Sequence, residues 1–373
     1  MEFNTKRRRI KFFLVFQIDK YRQNYNIRRL FLSVQGLFME AKTKAKLKNL
    51  LRILLFVTSL VILFFLLKGI GFDKVKEVFV KVGIGGMIFL ICCECMENGS
   101  DSLALYFALP KRKNFIRIFA SNGLGSLANY LIPWEFGELV KVGLIKEVAG
   151  SANSIKGVVL WNYIFKLSKG CALFSMALLS LLLHLLMPDE SYRMDKFWII
   201  ILCSLIGFLP YFGMMILINS NISEKAVKLL KYLGKKNVDE LVAKAAAMDR
   251  DLKLFKKERS DDYKKVFWLQ FLARYVSLVT FSACTYFAGF DGYVISTLAL
   301  LHCARNLGNY ISALVPMKIG VGEGMGYIIF AFMGLPGADG GLITFILRIN
   351  AIIAMALVSC LIIVKPKEKN DKI

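Results

Sequence analysis

The chain has 373 residues, 56% of them hydrophobic, and a mean hydropathy of +0.54. Soluble domains carry more polar surface than this, and several apolar runs approach the ~20 residues needed to cross a hydrocarbon core of about 30 Å. Lys and Arg number 50 against 27 Asp and Glu, a net charge of +23; they gather between the apolar runs, as in cytoplasmic loops facing anionic lipid headgroups, which argues against a nucleic-acid partner.

In chain order, residues 1–49 form a basic N-terminal segment with thirteen Lys/Arg and three acids. Its apolar pieces, 12–16 and 30–38, are too short to span, and no cleavage site follows a long apolar core. It reads either as a surface-lying basic arm or as sequence upstream of a true start at Met39. The first span is expected at 50–69, an interfacial stretch at 72–82, and a second span at 83–109, ended by Pro110 and Lys111-Arg112-Lys113. Residues 114–148 are apolar but interrupted at Gly123, Gly125, Pro133 and Gly137. A third span is expected at 157–187, then an acidic loop at 187–196 and a fourth span at 197–218, completing a first membrane half over 50–218.

Residues 219–265 hold thirteen Lys/Arg and eight acids and read as a cytoplasmic linker of amphipathic helices. The second membrane half, 266–364, comprises a span at 266–289, a second broken segment at 292–335 and a last span at 340–364; the second break carries Gly308, Pro316, Gly320, Gly322 and Gly324. A basic tail, 365–373, follows. Placing every basic segment in the cytoplasm, with both termini, works with six full spans if each broken segment is a re-entrant hairpin. The expected fold is therefore an all-α polytopic membrane protein.

The two broken segments resemble each other. Residues 124–137 read LGSLANYLIPWEFG and residues 307–320 read LGNYISALVPMKIG, both fitting L-G-x5-L-[IV]-P-x-[EK]-[FI]-G at an offset of 183. Glu138 follows the first and Glu323 the second. Entering from opposite faces, the two would form an inverted repeat, a construction common in transporters. Proline removes a helix hydrogen bond and glycine permits tight turning, and such backbone persists at membrane depth only inside protein or beside a watered cavity. The freed N–H groups of a half-helix start suit an anionic headgroup; ordinary Pro-kinked hairpins are the plainer alternative.

Charge also lies inside the apolar runs. Glu94, Glu97, Asn98 and Asp101 fall on one helix face. A carboxylate at the bilayer centre costs at least ~2.5–3.5 kcal/mol on insertion scales, so these side chains should face a cavity or meet cations. Arg274, Arg305 and Arg348 lie in the second half, and Lys141 and Lys318 flank the motifs. The set supports two readings, structural ion pairs or a polar path for a headgroup. Lys166, Lys169 and Asn162 form a second polar strip. His302 reads as a packed residue, and the Cys92-Cys93-x-Cys95 group as small hydrophobes rather than metal ligands. No metal or cofactor is expected.

At the two Pro/Gly motifs the sequence resembles the lysylphosphatidylglycerol synthase transmembrane region, also called the flippase-like family. The first marker is the stretch Asn129–Lys141 containing Pro133, Glu135, Gly137 and Glu138; the second is Pro316-Met317-Lys318-Ile319-Gly320-Val321-Gly322-Glu323-Gly324. Glu135 stands where the family commonly has a basic residue and Lys141 where it has Arg, and Trp161-Asn162 stand near a position where many members place Glu-Arg. The resemblance, over about 50–364, implies a lipid translocase domain. In two-part members a soluble C-terminal domain makes an aminoacyl-phosphatidylglycerol that the membrane domain flips; here a short tail follows Val364, so a lysyltransferase label would overstate the case.

The leading functional expectation is translocation of a charged-headgroup lipid, an aminoacylated phosphatidylglycerol or a polyprenyl-linked glycan, across the cytoplasmic membrane, with no enzymatic step. The sequence carries no G-x-x-x-x-G-K-[ST] loop, leaving passive exchange or ion coupling. A membrane-embedded transferase using Glu94, Glu97 or Asp101 as base, and a scaffold for a separate lipid- or glycan-modifying enzyme, are the alternatives.

Overall fold

The computed structural model describes residues 61, 64, 65, 68–110, 114–131, 136–186, 198, 199, 201, 202, 239–290, 292–312 and 320–363. The N-terminal arm, most of the expected first and fourth spans, Pro133, Glu135, Pro316, Lys318, Asp291, the Lys111–Lys113 turn and the basic tail lie outside the described residues.

All regular structure among the described residues is helical: α1 (Phe72–Ala108), α2 (Phe115–Leu131), α3 (Phe136–Ala149), α4 (Ser151–Leu186), α5 (Asp239–Glu258), α6 (Ser260–Phe287), α7 (Ile295–Ser312), α8 (Val321–Phe332) and α9 (Gly337–Cys360), with a 3-10 turn at Leu361–Ile363. Helices α1, α4, α6 and α9 are long and apolar enough to cross a membrane. Their outward faces are greasy. On α6, Trp268, Leu272, Val279 and Tyr286 recur at helical spacing and are exposed, and on α1 Ile84 is 82% exposed. An apolar surface of this extent suits lipid rather than water. The chain is a multi-pass helical membrane protein.

Helix α1 joins the expected interfacial stretch to the expected second span across Gly83, whose φ of 60° and ψ of 176° interrupt the helix. That region of backbone space is open almost only to glycine. From residue 84 to Ala108 the helix is about 37 Å long at ~1.5 Å per residue, enough to span. At its far end, Arg259, in the junction between α5 and α6, donates from Nη2 to the carbonyls of Phe107 (2.7 Å) and Leu109 (3.0 Å). This satisfies carbonyls that a helix end leaves unpaired.

Helix α2 ends at Leu131 and α3 begins at Phe136, and α7 ends at Ser312 and α8 begins at Val321; residues 132–135 and 313–319, with the prolines of both motifs, lie outside the described residues. Gly123, Gly125, Gly308, Gly322 and Gly324 sit inside helices, and at the first four the lack of a side chain serves close packing. Helix α3 folds back on α2 so closely that a Cβ on Gly125 would stand 2.8 Å from the carbonyl oxygen of Gly137.

Buried apolar side chains form two main clusters. One joins α1 residues Val78, Val82 and Leu90 to Phe281, Leu301 and Ile346. The other joins Ala104, Leu105 and Ala108 to Ile145, Val158, Trp161, Phe255 and Val266. Leu252 and Phe255 carry amphipathic α5 into the second cluster, and Lys156 pairs with Asp251 at 2.8 Å on its wet side. Between the clusters, α1 presents Glu94 to Ser102 and α6 presents Gln270 and Arg274. A polar layer is thus held between two apolar ones, halfway along the helices.

Candidate functional site

On α1, Glu94, Glu97 and Asp101 follow the i, i+3, i+7 pattern and share one face. Arg274 of α6 meets two of them: its Nη2 donates to Asp101 Oδ2 at 2.6 Å and its Nη1 stands 2.8 Å from Glu97 Oε1. The guanidinium lies 5.0 Å from the Phe165 ring centroid. One cation serves two carboxylates, and Asp101 Oδ1 stays buried without a hydrogen-bond partner. Asp101 is also fixed through its backbone, whose carbonyl accepts from Trp161 Nε1 at 2.9 Å.

Next to these charges a neutral network ties α1 to α2. Ser102 donates to the Asn98 carbonyl at 2.6 Å, and Asn122 Nδ2 donates to Ser102 Oγ at 2.9 Å and to Asn98 Oδ1 at 3.2 Å. Asn98, placed by sequence on the charged face, is a structural anchor there.

Arg305 of α7 has its guanidinium 5.3 Å from the Phe281 ring centroid, and its Nε is buried without a partner. It stands within electrostatic range of Glu94 and Tyr130. No ion pair within 4 Å joins Arg305 or Glu94 to another described residue. His302, one turn before, is packed as expected: Asn306 Nδ2 lies 3.1 Å from its Nε2, and the ring tilts against Phe281.

Residues of both motifs also carry polar groups that lie near this layer. In the first, Asn129 Oδ1 accepts from the Gly137 amide at 2.6 Å, and its Nδ2 approaches Glu138 Oε1 at 3.4 Å. Lys141 lies one turn on, 2% exposed, 3.1 Å from Glu138 Oε1 and 4.2 Å from the Trp161 ring centroid. In the second, Glu323 Oε2 accepts from the Gly320 amide at 2.7 Å, while Arg348 Nη1 of α9 stands 3.1 Å from Glu323 Oε1, an ion pair by distance whose angle is not that of a hydrogen bond. Glu323 is wholly buried. Gly137 and Gly320 are separated by 320 − 137 = 183 residues, the repeat offset. The equivalent amide of each motif is thus capped by a polar side chain, Asn129 in one and Glu323 in the other.

These groups form a run of charge. Lys141 is within electrostatic range of Asp101; Glu94 faces Arg305 and Arg274; Tyr130 stands among Glu94, Arg348 and Arg305. The structure therefore brings Glu94, Glu97, Asp101, Asn129, Gly137, Glu138, Lys141, Arg274, Arg305, Gly320, Glu323 and Arg348 into one polar layer, in which Lys141, Arg274, Glu323 and Arg348 are buried and the other charged groups partly so. Pro133, Glu135, Pro316 and Lys318 fall outside the described residues.

Sequence reasoning missed Tyr130 and Trp161. Tyr130 sits inside the first motif, at a position where the second has Ala313, and nothing in that mismatch marks it as polar lining. Trp161 carries no charge, yet its ring faces Lys141 and its N–H holds Asp101.

Nothing among curated proteins or solved structures matches the chain. A family model does: the one described as the lysylphosphatidylglycerol synthase TM region matches residues 49–359. With both Pro/Gly motifs and the whole charged layer inside that match, the chain belongs to the lysylphosphatidylglycerol synthase transmembrane family.

Proposed function

We propose that the protein moves a lipid with a charged headgroup, an aminoacylated phosphatidylglycerol or a polyprenyl-linked glycan, across the cytoplasmic membrane without altering it chemically. The observation that carries this reading is the buried to half-buried layer of five carboxylates and four cations, Glu94, Glu97, Asp101, Glu138 and Glu323 with Lys141, Arg274, Arg305 and Arg348. Both motif-bearing segments supply it, halfway along helices of membrane-spanning length. Charge at that depth is expensive and points to a path for a polar group. Acyl chains would stay in the bilayer while the headgroup passes between the two halves, arranged as an inverted repeat with both termini in the cytoplasm. Anionic headgroups of the inner leaflet would hold the basic loops, and a separate lipid- or glycan-modifying enzyme would supply the substrate.

The test is reconstitution into vesicles with acyl-labelled lipids and a membrane-impermeant quencher. Translocation of one headgroup class above protein-free vesicles, with the lipid unchanged by mass spectrometry, is expected, and replacing Glu323 by Gln should slow it. A new lipid product formed by the purified protein would move the assignment to a membrane-embedded transferase. Unchanged cellular phenotype after neutralising Glu138 and Glu323 would move it to a scaffold.

A further inference from the structure

The α1 carboxylates outnumber the cations that touch them. Arg274 contacts both Glu97 and Asp101, so one positive charge answers two negative ones. Asp101 Oδ1 is sealed from solvent with no donor, and Arg274, itself 9% exposed, has its Nε without an acceptor. Glu94, one turn before Glu97, is partly exposed and forms no ion pair with a described residue. The groups around Glu94 are Glu97 on its own helix, Arg274 on α6, Arg305 on α7 and Tyr130 on α2. Cys284 of α6 also lies within its electrostatic range. Farther off, Arg348 of α9 reaches Tyr130, and Lys169 of α4 reaches His302.

An extra carboxylate at mid-membrane is relieved by a cation or by a proton. Among the described residues no group of His, Cys, Asp and Glu is arranged to hold a metal ion, whereas a proton needs no coordination cage. Asp101 is locked by Arg274 and by Trp161. Glu94 is the acid of the triad that can take up a proton without breaking an ion pair to a described residue.

We propose that Glu94 carries a proton across the membrane in step with the lipid, making the translocation proposed above proton-coupled. On the acidic side, the Glu94 carboxylate takes a proton from hydronium, giving the neutral acid and water. On the other side the acid returns the proton to water, and no other bond is made or broken. Protonation removes a carboxylate charge that no ion pair holds in place and lets the layer rearrange without moving that charge through it. This inference rests on the translocation reading and adds its energy source.

The experiment uses full-length protein in vesicles of phosphatidylethanolamine and phosphatidylglycerol. These carry tracer amounts of acyl-labelled lysyl-phosphatidylglycerol and of a labelled polyprenyl-linked glycan, an internal pH dye, and valinomycin with potassium to clamp the potential. With one proton per lipid, a one-unit pH gradient should bias the steady-state distribution of the transported tracer up to about tenfold, since each pH unit is a tenfold change in driving ratio. Lipid movement should carry protons that the dye records. In Glu94→Gln the ratio of rates with and without the gradient should fall to one, and proton movement should vanish. Glu94→Asp, which keeps a titrating group, should keep a gradient response with a displaced pH profile. Melting curves of both variants check folding; if Glu94→Gln does not fold, the wild-type proton count and the Glu94→Asp profile decide. Wild-type translocation indifferent to the gradient, or a Glu94→Gln protein that follows it like wild type, overturns the proton proposal alone. Vesicles in which the wild type moves no tracer, with or without a gradient, overturn the translocation reading itself and this proposal with it.

Discussion

Replacing Arg274 by Met tests whether the α1 carboxylates depend on one guanidinium. The change removes the cation within 2.8 Å of Glu97 and 2.6 Å of Asp101 and leaves both acids in a layer sealed by apolar clusters. Breaking a buried pair by deleting one partner costs about 3–5 kcal/mol, or roughly two to three and a half powers of ten in the unfolding equilibrium. The triple variant, Arg274→Met with Glu97→Gln and Asp101→Asn, removes the stranded charges and leaves neutral amides whose lost hydrogen bonds cost about 1–3 kcal/mol. It should therefore be more stable than the single variant by about 2 kcal/mol, although it carries three changes instead of one. Equilibrium unfolding in mixed micelles, titrated with a denaturing detergent, measures the difference. A triple variant no better than Arg274→Met, or an Arg274→Met protein within about 0.5 kcal/mol of wild type, would show that the acids do not rely on Arg274.

The α2–α3 contact should not tolerate a methyl group. A Cβ on Gly137 would fall inside the Gly125 carbonyl and 2.6 Å from Asn129, so Gly137→Ala should cost about 1–3 kcal/mol or more, whereas Gly143→Ala, with nothing within 4 Å, should be neutral or slightly stabilising; paired melting curves compare them. Gly322→Ala would place its Cβ against Arg348 Nη2 and should push that side chain off Glu323, lowering the melting temperature less in Glu323→Gln than in the parent. Arg259→Ala should free the carbonyls of Phe107 and Leu109 and cost about 1–3 kcal/mol, read as faster hydrogen exchange over the last turn of α1.

Helix class and the end of α1 were legible because they follow from run length and from Pro110, local features of the chain, whereas the interruption at Gly83 was not read from the sequence. The charged face of α1 was legible for the same reason, since helical spacing alone brings Glu94, Glu97 and Asp101 together. Partner choice was not. That Arg274 takes Glu97 and Asp101, while Arg305 lies against Phe281, depends on how α6 and α7 pack against α1, which no window of sequence contains. The glycines mislead in an instructive way: Gly123 and Gly125 look like helix breakers, yet apolar surroundings keep the helix hydrogen-bonded and use the missing side chain for close packing. Lys141 shows the opposite case. It was expected near a headgroup path but is deeply buried, because Trp161 offers its ring face and Glu138 its carboxylate.

Ion pairing that holds the bundle and a path for a headgroup need not be rival accounts of the same charges. A buried ion pair contributes little net stability over an apolar pair of the same volume, so exchanging a protein carboxylate for a headgroup anion on Arg274 or Arg348 costs little if the geometry is kept. What cannot be exchanged cheaply is an isolated charge. The Glu323–Arg348 and Arg274–Asp101 pairs each join two helices, and opening either without a replacement partner would strand both members. Glu94 and Arg305 are different: oppositely charged and near one another, they make no ion pair with the described residues. They are the members of the layer that can engage a proton or a headgroup without first breaking an ion pair, and in the proposed translocation the cycle should begin at them.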